Sequence, residues 1–472
     1  MSTVGPLNIT LPRPHWTRVL ALLSLTLAVL LAVTIRISFG FLLLIIGLGA
    51  FALAVLRVDA FLYAVVLFLP IPLRLPKEFP LHDATPILRV MMFLGICVRS
   101  FLEGRSLRNL LLGSRLSHLA IGYGLISVLS ALLFNQRTVL GMAAPIWLLS
   151  YLCLYFTVIA WVRTEHQMRT LIGLLLLSTI VVALFGLYQS VIGEYGSLYD
   201  WLYPSQSKDV AFWTGRITSF LNYYTCLAGY LNLALPFALA CTLIRVSRGL
   251  RLLAISCLIS ATIALLLTQT RGAVFAFAGT LLLTVFLFAR TSRSRKALAV
   301  TLLITVLVSV PFFGQLSTRY STVDDDSGVM RLMFWDAALG MFLSSPLIGV
   351  GYGNFGGLVE LPGEEIRRDV HNIYLQLLAE TGVIGFAVFA LLMAVSLRAA
   401  WRDFHCPRDL MDQVLGFAAL GAILSVLTHG FVDYLFNASP QFGALFWMIL
   451  ALLVANDQLP ASRRPVVKPE LV

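Results

Sequence analysis

Apolar positions along the chain come in long blocks, not at the alternating spacing of a strand or the one-faced spacing of a soluble helix. Runs of roughly 17–25 residues recur from end to end, each long enough to cross a hydrocarbon core of about 30 Å. They fall at 17–35, 38–56, 59–73, 86–102, 117–134, 143–162, 169–191, 225–244, 252–269, 272–290, 297–314, 376–397, 413–431 and 440–455. The short runs 59–73 and 86–102 also fit partial crossings. The pattern therefore predicts an all-α polytopic membrane protein with about 12–14 transmembrane helices. The first run follows Arg13 and Arg18, lacks a small-residue cleavage site and leads straight into a second, so it reads as retained.

The polar breaks divide the chain into an N-terminal group of helices (1–191), a first long loop (192–224), a second group (225–314), a large loop (315–375), C-terminal helices (376–455) and a tail (456–472). A structureless connection as long as the large loop is uncommon, so it is expected to be partly helical and functional. Within it Met333, Phe334, Ala337, Ala338 and Met341 are spaced to lie against a membrane or a partner helix.

Composition agrees with the blocks. Of the 472 residues 59% are hydrophobic and 12% charged, against about 25% charged in an ordinary soluble domain. Basic residues cluster in alternate connections: Arg99 to Arg115, Arg163 and Arg169, Arg245 to Arg251, Arg290 to Lys296, and Arg398 to Arg408. The positive-inside rule makes that side cytoplasmic, with both termini on it. The net charge of +11 is thus a topological signal and implies no nucleic acid. The six cysteines show no CxxC spacing, which argues against a disulfide framework or a zinc site.

Candidate chemistry lies on the opposite side. Residues 252–290 hold one charge, Arg271, before Arg290 at their end. As a single helix they would span about 58 Å, so a hairpin turn is expected at 270–272. Its arginine is either a snorkelling anchor or a cation aimed at an outer vestibule. Arg216 lies just ahead of the span at 225, and Arg331 opens the amphipathic stretch of the large loop. His371 closes that loop. Behind it Gly382 and Gly385 either bare one helix face for close packing or, at Gly382, end a short helix in a left-handed turn. Asp324, Asp325 and Asp326 resemble a divalent-metal triplet, but followed by Ser-Gly they read as a solvated turn, and no metal site is expected. Several arginines beside one histidine suit a pyrophosphate substrate. Guanidinium forks grip phosphate oxygens, and imidazole can accept a proton from an attacking hydroxyl.

His371-Asn372, nine residues, then Gly382-Val383-Ile384-Gly385 match the H-[NSQ]-x9-G-x-x-G pattern of the O-antigen ligase family. The TQTRG turn at 268–272, GRITSF at 215–220 and PLIGVGYGNF at 346–355 extend the resemblance, which covers roughly 210–440. Fourteen candidate spans exceed the twelve usual for that family. The resemblance implies undecaprenyl-pyrophosphate-linked O-antigen as donor and the lipid A–core oligosaccharide as acceptor. Transfer would take place at the periplasmic face of the bacterial inner membrane, among membrane lipids and without ATP, metal or other cofactor. It makes His371 the general base and puts Arg271 and Arg216 on the pyrophosphate. Arg331, Asn372, Asp433 and, more peripherally, Arg137, Arg74 and Lys77 join the binding cleft. O-antigen polymerases and protein O-oligosaccharyltransferases share donor and architecture. A transporter would show paired repeats and charges near the midplane, and neither is present.

Overall fold

The computed structural model describes residues 49, 51–53, 55–72, 84–104, 106, 111–134, 143–193, 195, 215–221, 223–288, 326–359 and 369–459. It is all-helical over them, as expected, and nine of its helices are long and apolar enough to cross a membrane. The expected spans 17–35 and 297–314, Asp324 and Asp325, and Arg74, Lys77 and Arg137 lie outside the described residues.

The helices are α1 (Val58–Leu67), α2 (Thr85–Leu102), α3 (Arg115–Phe134), α4 (Ala143–Trp161), α5 (Glu165–Ile192), α6 (Tyr224–Leu243) and α7 (Arg248–Leu267). There follow α8 (Arg271–Phe288), α9 (Asp326–Ser344), α10 (Phe355–Leu358), α11 (Ile373–His405), α12 (Leu410–His429), α13 (Leu435–Ala438) and α14 (Pro440–Gln458). At about 15 Å for ten residues, α1 fits the partial crossing that the short run 59–73 allows.

Burial separates the helices into a centre and a rim. α6, α12 and α14 are almost wholly buried, with α4 packed along α14. Their residues are apolar all round, as a helix enclosed by other helices requires. α3, α5 and α7 instead leave leucines such as Leu125, Leu132, Leu184 and Leu252 exposed. In a bundle of this composition such a surface suits lipid.

Local chemistry sets the ends. Thr164 and Gln167 form a capping box that starts α5, and Asp409 and Ser439 cap α12 and α14. The far ends of α11, α12 and α14 are tied by a polar knot. Arg408 donates to Asp412 at 2.8 Å and to the Asn456 carbonyl at 2.6 Å, and Asn456 Nδ2 donates to Asp412 and Asp403. With that end fixed, the opposite ends of the same helices are held in register, and the candidate site lies there.

Candidate active site

α11 is two helices joined at a break. Gly382 has φ +62° and ψ −170°, which L side chains rarely adopt. The gap is filled by the turn after α9. The N–H groups of Val383 and Ile384 donate to the carbonyls of Pro346 and Leu347, while those of Val350 and Gly351 donate to Ala379 and Glu380. Ser130 Oγ reaches the carbonyls of Ile348 and Glu380 at 2.8 and 2.7 Å. A Cβ on Gly382 would strike the Leu347 carbonyl, and one on Gly385 would strike the Thr381 side chain. Both roles expected for this glycine pair are thus present in modified form. Gly382 breaks the helix, outside the left-handed helical region, and Gly385 lets the two halves and Ile126 of α3 close up.

The short first half, 373–381, begins at Asn372. Its Oδ1 accepts from the N–H groups of Tyr374 and Leu375, both at 3.0 Å, and its Nδ2 donates to the Phe431 carbonyl at 3.2 Å. Asn372, expected among the substrate contacts, is therefore a buried helix cap tied to the end of α12. Two more bonds complete the tie: Ile373 N–H to the Gly430 carbonyl at 2.8 Å, and Tyr374 Oη to the Leu427 carbonyl at 2.6 Å.

Between these anchors His371 sits at φ +55°. A non-glycine residue there costs on the order of 1–3 kcal/mol and persists only where its surroundings over-determine it. Its Nδ1 lies 3.3 Å from Asp433 Oδ1, with the imidazole side chain 34% exposed and the carboxylate 11%. Burial opposes ionisation of Asp433, yet the hydrogen bond from His371 and the charges of His429 and His371 hold it below the usual carboxylate range. An ionised partner makes Nδ1 the donor and leaves the Nε2 lone pair as the free basic position.

The arginines approach from separate elements. α7 ends at Leu267 and α8 starts at Arg271, so the reversal runs through Thr268, Gln269 and Thr270, slightly ahead of the expected 270–272. Gly272 packs so closely on His429 and Val432 that a Cβ would overlap Val432. Arg271 is thereby held beside the turn that carries Asp433, at a helix N-terminus whose dipole favours an anion. Arg331 lies one turn before Phe334, whose ring is 6.3 Å from that of His371. Its charge is felt at His429, and Trp335 Nε1 donates to the Val370 carbonyl at 3.1 Å. Arg216 stacks over Tyr224 at 4.3 Å, at the start of α6. Its segment is pinned to α5 through Gln189, which accepts from Ser219 N–H at 2.8 Å. Cys226, two residues after Tyr224, donates its Sγ–H to the Ala438 carbonyl at 3.5 Å, five residues after Asp433, so Arg216 belongs to the same end of the bundle. Of the expected residues, His371 and Asp433 touch, Arg271 and Arg331 border their turn, and Arg216 stands at its rim.

Sequence reasoning missed a second acidic partner. Burial raises the Asp369 carboxyl to about 6, against the opposing pull of His371. Gln376 joins Asp369 to the buried Glu380: its Nε2 donates to both, at 3.3 and 3.0 Å, while its Oε1 accepts from Val370 N–H at 2.8 Å. Glu380 in turn accepts from Phe355 N–H at 3.2 Å. The only signal in the sequence is the i, i+4 spacing of Gln376 and Glu380 behind His371, which any amphipathic helix could show.

Residues 255–390 match the family model described as O-antigen ligase. That segment contains Arg271, Arg331, His371 and both glycines, and leaves Arg216 and Asp433 outside it. No curated protein matches the chain. Residues 255–390, which hold the helix break, the loop that fills it and the histidine of its short arm, are therefore the part of this chain that is similar to the O-antigen ligase family.

Proposed function

We propose that the protein transfers O-antigen polysaccharide from undecaprenyl pyrophosphate to the lipid A–core oligosaccharide, at the periplasmic face of the bacterial inner membrane. The similarity of residues 255–390 to the O-antigen ligase family supports O-antigen ligase- or polymerase-type chemistry in general. The observation that carries the finer reading is the His371–Asp433 contact at 3.3 Å. It turns one imidazole nitrogen toward a carboxylate and leaves the other for substrate.

In this reading Nε2 of His371 takes the proton from an acceptor hydroxyl as its oxygen attacks the anomeric carbon of the donor. A glycosidic bond forms, the bond from that carbon to the pyrophosphate oxygen breaks, and the pyrophosphate leaves with the electron pair. Asp433 stabilises the imidazolium that results. Arg271, Arg331 and Arg216 bind the donor phosphates and stabilise the charge that grows on the leaving group. Asn372 fixes the short arm of α11 and hence the direction of the imidazole. Arg137, Arg74 and Lys77 are proposed as further cations that attract the anionic donor.

Purified protein supplied with lipid-linked O-antigen and either lipid A–core or a second lipid-linked glycan tests the reading. Product on lipid A–core supports the ligase. Elongation of the lipid-linked glycan alone makes the protein a polymerase, and no transfer to any glycan acceptor overturns the proposal.

A further inference from the structure

The sequence expects α9 to present Met333, Phe334, Ala337, Ala338 and Met341 to a membrane or partner. The structure turns most of that face inward: Phe334 and Ala338 are buried with Phe355, Val370 and Ala379, and Ala337 and Met341 pack against them. The exposed apolar side is a different one. Leu339 is 46% and Leu343 67% exposed, four residues apart on one helix face. Leu347, in the following turn, is 62% exposed.

We propose that this side, formed by Leu339, Leu343 and Leu347, is seated in the lipid bilayer. The case for lipid over a protein partner is continuity. Leu347 and Pro346 are hydrogen-bonded through their carbonyls to Ile384 and Val383, the first residues of the long arm of α11. Those two are 44% (Val383) and 43% (Ile384) exposed at the start of an arm that continues, apolar, through a membrane-crossing helix. The α9 patch therefore runs, through the turn that carries Leu347, into a surface that lipid must cover. An interfacial helix of this kind buries its apolar side in the boundary between headgroups and acyl chains. The charges fit the same tilt. Arg331 lies in the N-terminal part of α9 and the exposed Asp336 near its middle, two turns before Leu343. One consequence rests on the function proposed above: α9 would hold Arg331 and His371 at headgroup depth, where a lipid-linked pyrophosphate lies.

The seating is tested without any transfer assay. In full-length protein carrying Cys406→Ser, which removes the exposed cysteine, bimane is attached singly at Asp336→Cys, Leu339→Cys, Leu343→Cys and Leu347→Cys. The proteins are placed in phosphatidylethanolamine–phosphatidylglycerol vesicles, with Cys406→Ser alone as background. A nitroxide on the lipid acyl chain should quench the three leucine positions more strongly than iodide does, with the order reversed at position 336. Dominant iodide quenching at 343 and 347, or protection from both quenchers, would overturn the proposal in favour of water or a protein cover. The unsubstituted protein gives a second measurement. Photolysis in vesicles containing a diazirine acyl chain should leave adducts on the peptide spanning 339–347. A peptide free of adducts while the crossing helices are labelled would equally overturn it.

Discussion

His371 Nδ1 and Asp433 Oδ1 meet at 3.3 Å across 62 residues of sequence. The contact joins the re-entry point of the large loop to the turn after α12, and it sets which imidazole nitrogen is free. Replacing Asp433 with Asn keeps the size but removes the anion, so the imidazole loses both its tautomer and the partner of its cation. Transfer by Asp433→Asn is expected to fall by about 10²–10⁴, with an altered pH–rate profile and an unchanged elution volume on gel filtration. Because the Asp433 carboxyl is held below its usual range, its contribution to stability is complete above the ordinary carboxylate pKa. It is lost only as pH falls through the depressed value.

Gly382→Ala tests the helix break. The new methyl would meet the Leu347 carbonyl at a φ that alanine resists, and a loss of about 1–3 kcal/mol is expected. Apparent Tm in detergent, measured beside Gly357→Ala, checks it, since a Cβ at 357 meets nothing within 4 Å.

Asp369 gives a pH signature of the opposite sign. With its pKa raised to about 6 from 3.8, the folded protein holds a proton that the unfolded chain releases. Stability from this group is greatest below the unfolded value, declines as pH rises through the interval between the two, and stays lost above about 6. Allowing for partial exposure, the wild type should lose about 1–3 kcal/mol between pH 4 and 7. Asp369→Asn should not show this loss, and melting curves across that range compare the two.

Arginine geometry is tested with lysine. Arg271→Lys and Arg331→Lys keep the charge but lose the planar fork. Each is expected to reduce kcat/KM for the lipid-linked donor by about 10-fold to 100-fold, more than for the acceptor, in initial-rate measurements that vary each substrate in turn.

Asp412→Ala removes the acceptor that collects Arg408 and Asn456 at the far end of the bundle. A destabilisation of about 1.5–3 kcal/mol is expected, read as a lower apparent Tm. The donor KM should be unchanged, because the substitution lies at the other end of α12.

Much of this was legible in the sequence because membrane helices write themselves as blocks: α2 to α8, α12 and α14 fall on expected runs. Arg271 was legible because 252–290 is too long to be one crossing. Long-range partners were not. The need for Gly382 comes from Leu347, on a loop thirty-five residues upstream that nothing in local periodicity ties to it. Asp433 is reached only through the family resemblance, since one aspartate in a turn has no distinctive spacing. The inward face of α9 depends on Val370 and Phe355 arriving opposite Phe334, and with leucines on the other side the apolar pattern alone could not choose.

The His371 assignment is tested most directly by in vitro transfer with purified His371→Ala beside the wild type. Both are given the same lipid-linked O-antigen and lipid A–core, and donor binding is followed separately. Wild-type protein should yield ligated product, while His371→Ala should bind donor and yield none. Wild-type rates from His371→Ala would remove this histidine from the chemistry.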